Sequence, residues 1–292
     1  MKHLWVTGAF AASAALPVVR AHSQEPAPAG LTLLPAAFTA SARTDSKPSK
    51  TPDWAADRPG LGDSTSITPE HCVALEMGYT YTYRHRDGET SRTHDGPEAT
   101  ARLGVCDDVL ELRLAAIGYI YSHTETSVGT STDHGFSDAT AGLKVRLWKQ
   151  TEHLPRVCLL ASTTLGLGSR AVSNRDVEPL LEATWSYKLE PNADSGFELD
   201  GSIGADYASD SGDRFFQGFG AVSVTYQFNL KLAGFVEYFV IGPASRGGDA
   251  AHYVDVGVTY MLQDWIQLDA SLGVGKHEAN NLFAGAGISF LF

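Results

Sequence analysis

The sequence is short of what most other protein classes require. Cysteine and methionine number three each, too few thiols for a disulfide-built scaffold. Beyond the extreme N-terminus no apolar run is long enough to span a membrane as a helix, which excludes a helical membrane protein. Lys and Arg total 22 against 34 Asp and Glu, a net charge of −12. With no basic stripe among the aromatics either, nucleic acid is not an expected partner. Gly-rich phosphate cradles, zinc-ligand spacings and a nucleophile elbow are also missing, so neither a metal, a cofactor nor an enzymatic site is expected. A twelve-stranded outer-membrane phospholipase with Ser and His on adjacent strands is a conceivable exception, but no Ser and His stand at matching heights on adjacent lipid-facing rows. His85, His94, His123, His134, His252 and His277 fall in or beside polar loops, with spacing too loose for a metal site.

What is present is alternation. In Leu282 to Phe292, the row Leu282, Ala284, Ala286, Ile288, Phe290 and Phe292 alternates with Phe283, Gly285, Gly287, Ser289 and Leu291. A period of two belongs to a strand, and so apolar a strand needs partners on both sides or an apolar solvent. Val73 to Arg84 sets Val73, Leu75, Met77, Tyr79, Tyr81 and Tyr83 against Ala74, Glu76, Gly78, Thr80, Thr82 and Arg84. Ten further segments alternate likewise: 98–105, 109–121, 136–148, 156–168, 179–189, 197–207, 215–228, 230–241, 252–262 and 265–275. Connections after odd strands are often long and polar, at 86–97, 122–135, 169–178, 208–214, 242–251 and 276–281. Those after even strands are mostly short. An even strand count, long loops on one side and short turns on the other describe an all-β, transmembrane, antiparallel up-and-down β-barrel of about 12 strands.

The N-terminal part fits export. Lys2 and His3, the apolar stretch Leu4 to Val19 and the small-residue site Val19-Arg20-Ala21 read as a signal peptide over 1–21, with an uncleaved membrane helix as the alternative. Residues 22–53, rich in Ala, Pro, Ser and Thr, read as a disordered periplasmic linker. Residues 54–71 form a turn-rich segment before the barrel at 72–292. The expected location is the outer membrane of a Gram-negative-type bacterium, with outer-membrane lipid around the barrel. Phe290 and Phe292 read as the signal that barrel-assembly machinery recognises; nothing specifies an oligomeric state.

Parity assigns an inward, lumen-lining row of Glu76, Arg84, Arg102, Glu111, Arg113, Asp138, Lys144, Arg146, Glu182, Asp200, Phe235, Glu237, Asp255 and Asp269. Glu98, Glu198 and Asp206 share it, as do Phe215, Phe219 and Phe239, which give it a greasy patch. Twelve strands leave a narrow lumen. Either the charges brace a plugged barrel or they line a conducting pore, and the acidic excess argues against anion selectivity. A candidate plug is Trp54, Asp57, Arg58 and Pro59, with Arg58 meeting lumen carboxylates and Pro59 fixing a turn. Cys72 and Cys106, on neighbouring strands near the periplasmic rim, are either a disulfide worth about 3 to 4 kcal/mol or two free small hydrophobes; Cys158 is left over.

Asp57-Arg58-Pro59-Gly60, Asp63-Ser64-Thr65, Ala74-Leu75-Glu76-Met77-Gly78-Tyr79, Ala101-Arg102-Leu103-Gly104, Leu110-Glu111-Leu112-Arg113, Gly135-Phe136-Ser137-Asp138, Gly142-Leu143-Lys144 and Gln267-Leu268-Asp269 follow one another in a specific order. That order resembles the outer-membrane family of phenol meta-pathway degradation over about residues 55 to 292. Thr164-Leu165-Gly166 departs from the Pro-Thr-Gly-like turn expected there. The resemblance implies a transporter associated with catabolism of aromatic compounds, hence passive entry of small hydrophobic or aromatic solutes. A non-conducting barrel serving as a scaffold or surface-binding protein is the alternative.

Deleting Phe292 should impair barrel assembly far more than any pore property. The folded, heat-modifiable fraction in outer membranes measures this, and normal insertion would refute it.

Overall fold

The computed structural model describes residues 54–292 apart from 107, 116–117, 211, 246 and 278–281. The expected signal segment and linker, residues 1–53, lie outside the described residues. Among the described residues fourteen strands follow in order, beginning with β1 Val73–Arg86, β2 Glu89–Cys106, β3 Leu110–Ala115, β4 Tyr119–Thr126, β5 Gly129–Phe136, β6 Thr140–Trp148 and β7 Arg156–Thr164. The second half holds β8 Pro179–Lys188, β9 Gly196–Asp210, β10 Asp213–Gln227, β11 Leu232–Ile241, β12 Ala251–Gln263, β13 Ile266–His277 and β14 Leu282–Leu291.

All pair antiparallel in one sheet. β1 joins β2 on one side and β14 on the other, from Ala74↔Leu291 to Tyr83↔Leu282, which closes the barrel. β2 is long enough to pair with β3 along its lower half and β4 along its upper half, while β6 and β5 continue those two ladders. β3 with β4, and β5 with β6, are therefore two interrupted staves, and the wall has twelve.

Burial is inverted relative to a protein packed in water. Arg102, Glu111 and Lys144 are 0% exposed, whereas their outward neighbours Leu103, Leu112 and Leu143 are 43%, 44% and 41% exposed. The same alternation runs through β12, where Tyr253 and Asp255 are buried and Val254, Val256 and Val258 are not. An outside this apolar is stable only against hydrocarbon. Aromatics bound the band at both levels: Tyr79, Tyr119, Tyr121, Tyr207 and Tyr238 toward the outer side, and Trp148, Tyr260, Trp265 and Phe292 toward the other.

Two stretches read as outer loops are strands. Residues 86–97 lie almost wholly in the β1–β2 hairpin, closed by Asp87 and Gly88 at positive φ, and residues 122–135 belong to the β4–β5 hairpin. Above the bilayer both faces of a strand meet water, so its outward row need not be apolar. Periodicity vanishes there although the ladder continues; the Asp-Gly pair, a two-residue hairpin signal, remains. The single strands expected at 109–121 and 136–148 are each two strands, β3 ending at Ala115 with β4 starting at Tyr119, and β5 ending at Phe136 with β6 starting at Thr140. The 208–214 connection is likewise short, since β9 reaches Asp210 and β10 starts at Asp213.

The cysteines are all free thiols, so the candidate Cys72–Cys106 bridge is not formed. Cys72 lies beside Gly104 through the Gly104 N–H to Cys72 O bond (3.1 Å), and a register shift between Gly104 and Cys106 breaks the parity of β2. That irregularity places Cys106 opposite Leu110, on the row of exposed Leu112 and Leu114, away from Cys72.

Val256→Arg, midway between the girdle residues Tyr238 and Tyr260 on the lipid side, should destabilise the folded barrel by about 2 to 4 kcal/mol. Val128→Arg, at a hairpin tip 94% exposed, should be near neutral. Reversible urea unfolding in lipid vesicles compares the two; equal effects would argue against the assigned bilayer position.

Candidate functional site: the inserted segment and the lumen

Residues 54–66 precede the first strand and run inside the barrel without regular secondary structure. Their backbone therefore depends on side chains of the wall. Glu76 accepts from Asp57 N (3.1 Å), Glu237 from Leu61 N (2.8 Å), and Glu182 from Asp63 N (3.4 Å). Thr184 Oγ1 donates to Asp63 O at 2.5 Å, and Cys158 Sγ to Thr65 O at 3.3 Å. Below the segment, Thr68 N and Oγ1 donate to Glu111.

Asp57 is the hub. Its carboxylate meets Lys144 Nζ at 2.9 Å, Arg113 Nη1 at 2.7 Å and Arg102 Nη1 at 3.5 Å, and accepts from Ser64 N and Oγ. Burial pushes the Asp57 carboxyl upward, but Arg102, Arg113 and Lys144 outweigh it and hold it well below the ordinary carboxylate range. By linkage, a depressed carboxyl contributes stability that is complete above the ordinary Asp range and is lost only as pH falls below it. Asp63, held by Arg113 at 3.2 Å, shifts the other way: burial raises it more than Arg113 lowers it.

Arg102 uses four of its five N–H donors. Nε donates to Glu111 (2.9 Å), Nη1 to Glu76 (2.6 Å) and Ala55 O (3.0 Å), and Nη2 to Ser66 O (3.0 Å). A planar fork satisfies wall carboxylates and segment carbonyls together. Arg58 pairs with Glu98 at 2.5 Å and Asp269 at 3.5 Å. Its guanidinium lies against Gly78 and Gly287, which face each other across the β1–β14 seam, and a Cβ on either would overlap it.

The opposite half of the lumen is apolar and acidic. Phe239 stacks on Tyr253 with ring centres 4.5 Å apart, Phe283 meets both at 6.1 and 5.9 Å, and Leu61 and Phe219 pack against the group. Between the segment and β8–β13 a cavity of about 390 Å³ is lined by Trp54, Trp185, Asp200, Phe235, Glu237 and Met261, among others.

Of the expected lumen-lining row, Glu76, Arg102, Glu111, Arg113, Lys144, Glu182, Glu237, Asp255 and Asp269 are buried inside the barrel. Asp200 and Phe235 line the cavity, and Arg84 is half-buried toward the outer end of β1. Arg146 is buried near the short turns, 3.6 Å from Asp108. Asp138 departs from its expected place on a spanning strand. It sits in the break between β5 and β6 and accepts from Gly168 N (2.6 Å) and Ser173 Oγ, so it pins an outer loop. Reasoning on the sequence missed Asp63 and the glycine slot; an inward-parity Gly in a strand was the available sign. His94, His134 and His252 are on strands, each bonded through Nδ1 to a tyrosine hydroxyl, of Tyr79, Tyr119 and Tyr238 respectively.

The family model described as "Putative MetA-pathway of phenol degradation" matches residues 56–292. The chain belongs to this family. The match spans the inserted segment from Ala56 as well as every wall strand. Among solved structures, an outer membrane channel from Pseudomonas putida F1 is similar with a TM-score of 0.57 at 13% identity, covering 78% of this chain and 98% of that one. The CymD monoaromatic hydrocarbon channel gives 0.43 at 12% identity, covering 78% and 89%. The first likeness establishes the shared fold, that of an outer-membrane barrel. A comparison with curated proteins gives no match.

Arg102→Met should destabilise the barrel by about 3 to 5 kcal/mol, because it strands Glu76, Glu111 and Asp57 in a buried site. The urea midpoint in lipid vesicles reports it, and a change below about 1 kcal/mol, the scale of an exposed pair, would count against the network.

Proposed function

We propose that the protein is an outer-membrane channel for passive uptake of small hydrophobic or aromatic solutes, with Trp54–Ser66 as its plug. The observation that carries this reading is the unequal lumen. On the β2, β3 and β6 side, Asp57 and Asp63 engage buried cations that hold the segment in place. On the β9–β13 side, aromatic rings and a cavity of about 390 Å³ leave a lined route beside the segment. Apolar pockets with few polar groups are what such solutes require. The family membership and the fold shared with the outer membrane channel from Pseudomonas putida F1 support the same reading.

The channel works without chemistry on the solute. The wall supplies a desolvated surface of Phe219, Phe235, Phe239, Tyr253 and Phe283, while the buried cations Arg102, Arg113 and Lys144 are committed to the plug and the carboxylates beside it. The inserted segment itself favours a second reading, a sealed barrel that serves as a scaffold or binds through its outer hairpins. Recognition of Phe290 and Phe292 by barrel-assembly machinery belongs to the proposal as well; the two rings stack at 6.0 Å beside Trp265.

Deleting residues 48–66 should raise single-channel conductance in planar bilayers several-fold. Swelling of vesicles containing the intact chain should be faster with small aromatic solutes than with sugars of equal size. Unchanged conductance would remove the plug, and no protein-dependent swelling with any solute would favour the sealed scaffold.

A further inference from the structure

Four cations line one basin at the short-turn end of the barrel: Arg146 near the end of β6, Lys149 in the turn that follows, Arg156 at the start of β7 and Lys188 at the end of β8. In a chain where carboxylates outnumber Lys and Arg by 34 to 22, this basin reverses the balance, with Asp108 and Glu152 as its acidic lining. Its volume, about 680 Å³, is that of a pocket for a ligand and far more than a water molecule needs.

Pairing inside the basin is loose. Arg146 Nη1 stands 3.6 Å from Asp108 and Lys149 Nζ 3.9 Å from the same carboxylate, while Lys188 Nζ stands 3.9 Å from Glu198. Each separation exceeds hydrogen-bond length, whereas Arg102, Arg113 and Lys144 meet carboxylates at 2.6, 2.7 and 2.9 Å. The Arg146 side chain is 5% exposed, and its Nε has no hydrogen-bond partner. A buried charged group so incompletely paired is costly. The walls nevertheless hold it there. Gln150 Nε2 donates to Lys188 O (2.7 Å), Lys188 N donates to Gln150 Oε1 (2.8 Å), and Tyr187 OH donates to Glu152 O (2.7 Å). The β6–β7 turn is thereby fastened to the end of β8, and the cations they carry stay together without a matching set of acceptors.

Cations reaching one space from three strands and a turn suit an anion with more than two oxygens. A carboxylate offers two, whereas a phosphate monoester offers three and carries a charge of about −1.5 to −2. Beside the basin Trp148, Leu154 and Leu189 are 46%, 54% and 51% exposed, at the level where an aromatic girdle meets lipid headgroups. We infer that Arg146, Lys149, Arg156 and Lys188 bind the phosphate group of a phosphorylated ligand, carried by a phospholipid headgroup of the periplasmic leaflet or by a soluble phosphate ester. The phosphate takes the acceptor role that Asp108 leaves incomplete. The inference goes beyond the channel reading and holds for an open or a sealed barrel.

Isothermal titration of the full chain in a maltoside detergent, with glycerol 3-phosphate, dihexanoyl phosphatidylglycerol and sodium acetate as probes, tests this directly. At least one phosphate probe should bind, and acetate should bind it roughly tenfold more weakly or worse, the scale of one charge-assisted hydrogen bond. The double variant K149Q/K188Q, which changes two exposed side chains, should lower phosphate affinity by roughly tenfold or more. R146K keeps the charge but gives up the guanidinium fork and should weaken binding as well; if it lacks heat-modifiable migration, the lysine variant alone decides. Tighter binding of phosphatidylglycerol than of glycerol 3-phosphate, lost in K149Q/K188Q, assigns the site to lipid. Equal or tighter binding of glycerol 3-phosphate assigns it to a soluble ester. No binding of either phosphate probe, acetate binding as tight as theirs, or phosphate affinity unmoved in K149Q/K188Q would overturn the inference.

Discussion

The three-way ion pairing of Asp57 with Arg102, Arg113 and Lys144 is the constraint on which the interior depends. Three cations converge in a space nearly closed to water, where each would be prohibitive without a counter-charge. The wall supplies Glu76 and Glu111, and the segment supplies Asp57 together with the carbonyls of Ala55, Ser64 and Ser66. In return, wall carboxylates accept the backbone N–H groups of an irregular segment that has no ladder of its own. Wall and segment thus satisfy one another, and neither has a complete set of partners alone.

From that constraint follows a division of the lumen. Cations gather on β2, β3 and β6, where the segment docks, and leave β9–β13 with carboxylates and aromatic rings. The first half pins Asp57 and Asp63 by charge, and the second meets the segment at Leu61 and leaves a cavity of about 390 Å³ beside it. A uniformly charged interior would have no apolar route, and a uniformly apolar one would have nothing to fix an irregular chain.

Much of this is legible in the sequence because lipid imposes a strict rule. Val254, Val256 and Val258 must face outward, so Tyr253 and Asp255 must face inward, and parity alone sorts them. The signal fails where the bilayer ends: the β1–β2 and β4–β5 hairpins stand in water, and their Thr, Ser and His residues carry no alternation to read. It also fails at Cys106, since one irregularity reverses parity without a mark in composition. Arg58, Asp57 and Pro59 stand out in an otherwise plain N-terminal stretch, and their motif carries the family resemblance. Their partners do not stand out, because Arg102, Lys144 and Asp63 come together only through the curvature and register of the closed wall.

The slot for Arg58 has a bearing on the order of events during biogenesis. Gly78 and Gly287 belong to the first and last strands and become neighbours only when the two ends of the sheet zip together. Before that moment the guanidinium has half a cradle, and Asp269 and Glu98 approach it from separate edges of an open sheet. The complete cradle for Arg58 therefore exists only in the closed cylinder, where it holds the start of the chain against its end.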